Sequence, residues 1–290
     1  MRYHDIEHFL SAALPALQTG PVAVICVEDE IEVTSTLRHH LRLGFRCVIA
    51  LMPKGFDLPE KDALQIHRID HDTTADGSLQ TGVNRLAAAA PGVWMFYCYN
   101  AEYLFFPFCE TRSIGEMLDF HAGEQRQAML TYVIDLYADD LEAAPHAVCR
   151  TRAHLDSVGY YALARTEQDA RNHTPKDRQY DFYGGLNWRF EEHVPAWQRR
   201  IDRISLFRAQ PGVILRWDHV FSEEEYNTYA CPWHHNLTAA VCSFRTAKAL
   251  RRNPQSAAAI PTFKWQNSVP FTWGARQLLD LGLIEPGQWF

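Results

Sequence analysis

Apolar runs of strand length alternate with amphipathic segments in the first half of the chain. Residues 1–20 carry apolar side chains at helical spacing and end at Gly20, which predicts an amphipathic helix. The continuous apolar run over 22–27 predicts a buried parallel strand. A predicted helix over 31–43 and a second strand over 46–52 complete a β-α-β unit.

The alternation continues with a third short strand over 64–69, a helix over 78–90 and a fourth strand over 93–99. Strands that alternate with helices predict an α/β fold with a mostly parallel sheet. Ligands of such sheets bind at the carboxyl ends of the strands. The informative positions are therefore those at the ends of the strands: 28–30, 52–55, 70–72 and 99–102. We expect the early strands to lie side by side, so that residues 28–30 and Glu102 border one shared pocket.

The second half of the chain is less regular. Residues 128–137 and 204–215 have strand character, and residues 139–182 are polar and loop-rich. A basic amphipathic helix is predicted at about 238–252 and a short helix over 277–283. Because no linker is long enough to separate domains, we expect one domain with an irregular α+β second half.

Composition narrows the class of protein. The chain has 290 residues, of which 47% are hydrophobic, and this suits one sizeable core. No apolar run reaches the roughly 20 residues that span a bilayer, and the N-terminal sequence lacks a signal peptide, so we expect a cytoplasmic protein. The net charge of −7 argues against a nucleic-acid binder. The seven cysteines lack metal-finger spacing and are expected to be reduced.

Several stretches, taken in their order along the chain, resemble one family. They are VEDEIEVTSTLRHHLRLGF (27–45), VNRLAAAAPGVWMFYCYNAEYLFFPF (83–108), YGGLNWRF (183–190), RISLFRAQPGVILRWDH (203–219) and ARQLLDLGLIEPGQWF (275–290). Together they are similar to glycosyltransferases of the family 2 type, in the bacterial branch with an asparagine-glutamate start and an Asp-x-Asp-Glu-Phe motif.

This resemblance implies a GT-A fold, a single Rossmann-like α/β domain over residues 1–290. Residues 1–110 would form the nucleotide-binding half and residues 111–290 the acceptor-binding half. The family binds a nucleoside-diphosphate sugar at the strand ends and transfers the sugar to an acceptor, here an unidentified glycan or lipid. Mg²⁺ or Mn²⁺ usually bridges the diphosphate.

The chain departs from the family at the metal-binding motif, which becomes Tyr99-Asn100-Ala101-Glu102-Tyr103. Both metal-coordinating aspartates are thus absent. A hard divalent cation needs oxygen ligands and usually a carboxylate, so their loss argues against Mg²⁺ or Mn²⁺. Glu102 and the Asn100 side-chain carbonyl are the ligands that remain at this turn.

Glu102 lies between two tyrosines in an apolar segment. Because an unpaired buried carboxylate is costly, we expect it to face a polar cleft, a cation or an arginine. The functional interpretation is a metal ligand or an acceptor-binding group, and the alternative is a salt-bridged structural glutamate. Asn100 is a further nucleotide-binding candidate.

The acidic residues Glu28, Asp29 and Glu30 follow the first strand. Their carboxylates are expected to contact the base or ribose of a nucleotide, or else to complement the dipole of the following helix. The family's aspartate-asparagine pair after the second strand is missing. Asp70 and Asp72 either replace that pair or belong to a solvated loop.

The catalytic candidates lie in the second half. An inverting transfer needs a general base for the acceptor hydroxyl, and Asp218 and Asp156 are both candidates. The resemblance places His219 near the diphosphate, where it would donate to phosphate or help to bind a metal. Arg189 and Arg208 are expected to contact phosphate.

Two further features leave alternatives open. Trp233, His234 and His235 either line the substrate cleft or form an aromatic-histidine core cluster, and no zinc is expected because no second ligand pair is present. The basic helix face over 243–252 either neutralises the diphosphate, contacts anionic lipid at a membrane surface, or is solvated.

The sequence therefore predicts a sugar transferase that is metal-independent if arginines and histidines stabilise the leaving diphosphate. The main alternative is an inactive pseudo-glycosyltransferase that binds a glycan, a nucleotide or a protein. A weaker alternative is a hydrolase that uses the histidine-rich segment and zinc.

Overall fold

The computed structural model describes residues 1–59, 65–166, 174–229 and 236–289. Within these ranges the α-helices are α1 (Ile6–Thr19), α2 (Val33–Arg42), α3 (Ser78–Ala89), α4 (Ile114–Gly123), α5 (Gly185–Arg189), α6 (Arg245–Arg252), α7 (Pro254–Ala259) and α8 (Ala275–Asp280). No helix in the described part combines the length and the apolarity needed to cross a bilayer.

The same ranges contain fourteen short strands. They are β1 (Arg2–Tyr3), β2 (Val22–Cys26), β3 (Cys47–Met52), β4 (Ile66–Asp70), β5 (Trp94–Tyr99), β6 (Glu102–Phe105), β7 (Ala128–Asp135), β8 (Tyr137–Ala138), β9 (Ala153–Asp156), β10 (Tyr161–Thr166), β11 (Pro175–Tyr183), β12 (Asp202–Arg208), β13 (Ala239–Ser243) and β14 (Ser268–Pro270).

Nine of these strands form one mixed sheet with the order β1-β4-β3-β2-β5-β12-β7-β13-β6. The pairs β1–β4, β4–β3, β3–β2, β2–β5 and β7–β13 are parallel, whereas β12 is antiparallel to β5. Two smaller sheets contain β10-β11 and β14-β9-β8. The predicted α/β fold with a large, mostly parallel sheet flanked by helices is thereby confirmed, and it is consistent with a Rossmann-like arrangement.

The chain divides into two compact units. Unit 1 comprises Met1–Leu104, Thr111–Met129 and Ile204–Asn227, and unit 2 comprises Phe105–Glu110, Leu130–Arg203 and Thr228–Phe290.

In unit 1 the apolar pattern accounts for the buried elements. All five residues of β2 are buried, as expected for an apolar strand with parallel neighbours on both sides. Helix α1 buries Ile6, Phe9 and Leu17 along one face. Gly82 of α3 lies so close to β3 that an added Cβ would come within 2.5 Å of Leu51.

In unit 2 a separate cluster of buried apolar residues packs around Tyr137, Leu186 and Phe263. The end of the described chain is also anchored in this unit, because Trp289 is buried and its ring lies 6.2 Å from that of Phe106.

Two predictions for the second half are corrected. The helix predicted at about 238–252 begins only at Arg245, because Ala239–Ser243 forms strand β13. The prediction was wrong because a short buried apolar run has no periodicity from which a strand could be distinguished from a helix. The segment 139–182, predicted to be loop-rich, contains β9 and the antiparallel strands β10 and β11. Nearly all residues of β10 are exposed, so its sequence lacks the alternation of apolar and polar residues that marks a half-buried strand.

Candidate functional site

The carboxyl ends of β2 and β5 lie side by side in unit 1. The two strands pair in parallel, with Cys26 opposite Tyr99. The residues after the strands are joined directly, because the backbone N–H of Glu28 donates to Asn100 Oδ1 at 2.9 Å. The expectation that the acidic segment and the Tyr99–Tyr103 turn lie close together is confirmed.

Asn100 holds the acidic segment in shape. Its side chain is fully buried, and Nδ2 lies 2.7 Å from Asp29 Oδ1, 3.1 Å from the Asp29 carbonyl and 2.9 Å from the Ile31 carbonyl. One amide group thus satisfies three oxygens and one backbone N–H of the loop after β2. The role of Asn100 in this geometry is to position that loop.

Glu102 is engaged inside its own turn. Its side chain is fully buried, and Oε2 accepts a hydrogen bond from the Tyr99 backbone N–H at 2.9 Å. The intervening Ala101 has a left-handed φ of 60°, and its N–H donates to Thr36 Oγ1 at 2.8 Å. The carboxylate therefore stabilises a tight turn.

A divalent cation does not fit the residues of this turn. Tyr99 and Ala101 supply no carboxylate, and both Asn100 and Glu102 use side-chain oxygens to accept backbone hydrogen bonds. Within the described ranges, no group of three or more His, Cys, Asp or Glu residues is arranged to hold a metal ion. We therefore derive no step through Mg²⁺ or Mn²⁺.

His219 lies over β5 near its carboxyl end. It belongs to a hairpin closed by the Leu215–Phe221 bridge and has a left-handed φ of 63°. Its ring stacks on Tyr97 with centroids 5.8 Å apart, and Nδ1 lies 3.2 Å from the Tyr97 hydroxyl. The Tyr99 ring lies 6.5 Å away in an edge-on arrangement. The turn thus directs the half-buried imidazole toward the strand end.

The loop after β4 also reaches the end of β2. The Thr73 hydroxyl donates to the Val27 carbonyl at 2.7 Å. Asp72 is exposed and accepts from the backbone N–H and the hydroxyl of Thr74 at 3.1 and 2.6 Å. Asp70 is buried and pairs with Arg2 at 3.0 Å and with Arg68 at 3.5 Å. Asp72 therefore faces solvent, whereas Asp70 is held by arginines.

These segments together form a surface that we call the strand-end rim, defined by residues 28–31, 71–74, 99–100 and 217–219. Its carboxylates include the half-buried Glu28 and Asp218 and the exposed Glu30 and Asp72. Hydrogen bonds from Thr74 lower the pKa of Asp72, so this carboxylate is charged at neutral pH. The rim carries these carboxylates together with the imidazoles of His71 and His219.

Arg208 lies at the opposite end of the same strands. Because β12 is antiparallel to β5, Arg208 pairs with Trp94, the first residue of β5. Its Nε donates to the Gly92 carbonyl at 2.9 Å. The structure does not bring this arginine to the strand-end rim.

In unit 2 Asp156 and Arg189 form a buried ion pair. Arg189 Nη1 lies 3.1 Å from Asp156 Oδ1, and Asp156 is 1% exposed. The same Oδ1 accepts from the Tyr137 hydroxyl and from Trp265 Nε1 at 2.7 Å. Arg189 also donates to the Phe263 carbonyl at 2.7 Å. Each residue is satisfied within unit 2 by these contacts.

A second buried carboxylate, Asp135, lies at the end of β7. Its Oδ2 accepts from the Leu186 N–H at 2.7 Å, at the start of α5. Gly185 permits this approach, because it has φ +62° and an added Cβ would come within 2.6 Å of Oδ2. Oδ1 has no hydrogen-bond partner among the described residues. Burial, and secondarily the charge of Asp156, raises the pKa of Asp135 to about 7.

Comparison with protein-family models found no match, and comparison with curated proteins found no match either. The resemblance to family 2 glycosyltransferases therefore stays a hypothesis based on the quoted motifs.

Three of the predicted cleft residues, Trp233, His234 and His235, lie outside the described residues. Other residues of the site were missed in the sequence. Tyr97 lies inside an apolar strand, and Thr73 lies in a polar loop, so neither has a local signal. Their roles depend on contacts with residues 219 and 27, which are distant in the chain.

Proposed function

We propose that the chain is a GT-A-type glycosyltransferase that binds a nucleoside-diphosphate sugar at the strand-end rim of unit 1. The observation that carries the proposal is the convergence of the β2 and β5 ends, with Glu28 bonded to Asn100 and His219 stacked beside them. Strand ends of parallel α/β sheets are the usual binding place for nucleotides.

The charges of the rim suggest how the donor lies. The carboxylates of Glu28 and Asp72 would accept hydrogen bonds from ribose hydroxyls or base N–H groups. An anionic diphosphate is repelled by them, so it would lie toward His219, whose imidazole donates a hydrogen bond and stabilises the leaving group. Asp218, the neighbour of His219, is the general-base candidate on this rim.

The engagement of Asn100 and Glu102 supports a metal-independent reaction. Asn100 bonds to the backbone of the loop after β2 and Glu102 to the backbone of its own turn, so these hydrogen bonds compete with the binding of a cation. Stabilisation of the diphosphate would come from the imidazole and from backbone N–H groups. The acceptor, a glycan or a lipid, and the cytoplasmic location belong to the same proposal.

A specific observation favours a second candidate, a pseudo-glycosyltransferase that binds ligands without turnover. Asp156 and Arg189 are paired to each other, and Arg208 bonds to a backbone carbonyl. The catalytic candidate Asp156 and the two arginines expected to contact phosphate are therefore occupied by structural contacts. In this candidate the rim still binds the nucleotide.

One titration series tests both candidates. UDP-glucose, GDP-mannose and dTDP-glucose are titrated calorimetrically into the protein, once with Mn²⁺ and once with EDTA, and release of nucleoside diphosphate is followed in parallel. We expect binding of at least one donor with equal affinity in both buffers, and slow donor hydrolysis.

The variant His219→Gln distinguishes a catalytic imidazole from a structural one, and Arg85→Gln, at an exposed pair with Glu7, is the control. We expect loss of diphosphate release in His219→Gln and no change in Arg85→Gln. Binding without release in the wild type would support the pseudo-enzyme. The absence of binding for all three donors would contradict the proposal.

A further inference from the structure

We propose that Trp217 is the ring on which the nucleobase of the donor stacks. The proposal rests on the proposed function, since it assigns a ligand group to one residue of the same rim. Trp217 is 64% exposed, although indole is among the largest apolar side chains.

The backbone that carries Trp217 is fixed to helix α3 by two amide side chains. Asn84 receives a hydrogen bond on Oδ1 from the Leu215 N–H at 2.8 Å and donates from Nδ2 to the Leu215 carbonyl at 2.9 Å. One helical turn earlier, Gln80 Nε2 donates to the Trp217 carbonyl at 3.3 Å. The hairpin therefore runs along α3 toward its N-terminus.

The N-terminus of α3 lies at the strand-end rim. The helix begins at Ser78, directly after the loop that follows β4, and Thr73 of that loop bonds to Val27 at the end of β2. From Trp217 the chain turns back so that His219 contacts Tyr97. Trp217 thus belongs to the short segment between the backbone contact with the first turn of α3 and the imidazole proposed to contact the diphosphate.

The indole of Trp217 offers an exposed aromatic face, whereas Tyr99 on the same rim is buried. The carboxylates can accept hydrogen bonds from ribose or base, but they cannot cover the face of a base. Every nucleobase has a π-face, so stacking adds affinity without choosing the base. A base-stacking aromatic contributes roughly 5- to 150-fold in affinity.

If Trp217 stacks on the base, nucleotide affinity should depend on whether residue 217 has an aromatic ring. We expect Trp217→Ala to raise the dissociation constants of UDP and of GDP by a similar factor, in the range of about 5- to 150-fold. Trp217→Phe keeps a stacking ring, so its dissociation constants should stay within about 3-fold of the wild type. The control is Trp197→Ala, because Trp197 is 63% exposed and belongs to unit 2.

Fluorescence supplies a readout that a purely structural role would not change. UDP should quench part of the intrinsic tryptophan emission of the wild type, and this part should disappear in Trp217→Phe while calorimetry still shows binding. Circular dichroism of each variant checks that the fold is kept.

The outcomes separate this inference from the proposed function. If UDP or GDP binds the wild type and Trp217→Ala changes neither constant more than 2-fold, the stacking role is wrong and the nucleotide site stands. If Trp197→Ala weakens binding as much as Trp217→Ala, the stacking role is also wrong. If UDP, GDP and dTDP all fail to bind the wild type, both proposals are wrong.

Discussion

The strand-end rim of unit 1 and the contacts around Asp156 in unit 2 both contain carboxylates, but the carboxylates differ in burial and in partners. On the rim, Glu28 and Asp218 are half-buried and Asp72 is exposed. In unit 2, Asp156 is 1% exposed and accepts from an arginine, a tyrosine and a tryptophan. A carboxylate of the first kind can meet a ligand, whereas one of the second kind is already satisfied.

This difference shows that the role of a polar residue in a motif can be judged only when its hydrogen-bond and ion-pair partners are known. Arg189 follows the Gly184-Gly185 pair and was expected to contact phosphate, yet its guanidinium lies against Asp156 and the Trp265 ring. The cost of burying either charge alone explains why they occur together.

The largest effect is expected from breaking that pair. Arg189→Met leaves the Asp156 carboxylate buried without its cation, which should lower the free energy of unfolding by about 3–5 kcal/mol. Urea unfolding measures the change. The control is Arg85→Met, because the Arg85–Glu7 pair is exposed and should contribute little. A loss in Arg189→Met no larger than in the control would show that Asp156 is available for other contacts.

The second effect is a dependence of stability on pH that arises from Asp135. Its pKa is raised to about 7 in the folded state, so the folded protein binds a proton that the unfolded chain releases near pH 4. Stability from this group is therefore complete below about pH 4 and is lost as the pH rises to about 7, by an amount on the order of 4 kcal/mol.

Asp135→Asn removes this titration and should flatten the stability profile between about pH 4 and pH 7. Urea midpoints at several pH values measure it, with the exposed Asp72→Asn as the control. A profile that keeps its slope in Asp135→Asn would assign the pH dependence to other groups.

A smaller effect is expected from Asn100 on the rim. Asn100→Asp replaces the donating amide by a carboxylate beside Asp29 Oδ1, at a position now 2.7 Å from it. We expect a loss of about 2–3 kcal/mol in the free energy of unfolding, because donors are removed and like charges meet. The double variant Asp29→Asn/Asn100→Asp should recover part of this loss. If the losses of the two single variants simply add up in the double variant, the two side chains do not interact.

The smallest effect is expected from Glu102→Gln. The amide oxygen of glutamine can still accept from the Tyr99 N–H, so the free energy of unfolding should change by less than about 1 kcal/mol, and UDP affinity should be unchanged. Glu102→Ala, which removes the acceptor, should cost more. If the Glu102→Gln protein is stable but no longer binds the donor, Glu102 contacts the ligand and this account of its role is wrong.

The sequence predicted the sheet where local pattern and topology agree. Strands β2, β3 and β5 are apolar runs between turn residues, and their parallel pairing brought Glu28 next to Asn100 as expected. The direction of β12 has no local signal, so Arg208 was expected near phosphate although it lies at the amino end of β5.

The partners of buried charges could not be predicted for the same reason. Asp156 and Arg189 are 33 residues apart and Trp265 is 109 residues from Asp156, so neither contact follows from spacing. The hydrogen bond from the Tyr99 backbone N–H to the buried Glu102 carboxylate also had no signal in the sequence.

The most direct test of the contrast between the two regions is amide hydrogen exchange with and without saturating UDP. We predict slower exchange in peptides that cover residues 28–31, 71–74 and 215–219, and unchanged exchange around Asp156 and Arg189. Protection confined to the Asp156 and Arg189 peptides, with none on the strand-end rim, would contradict the account.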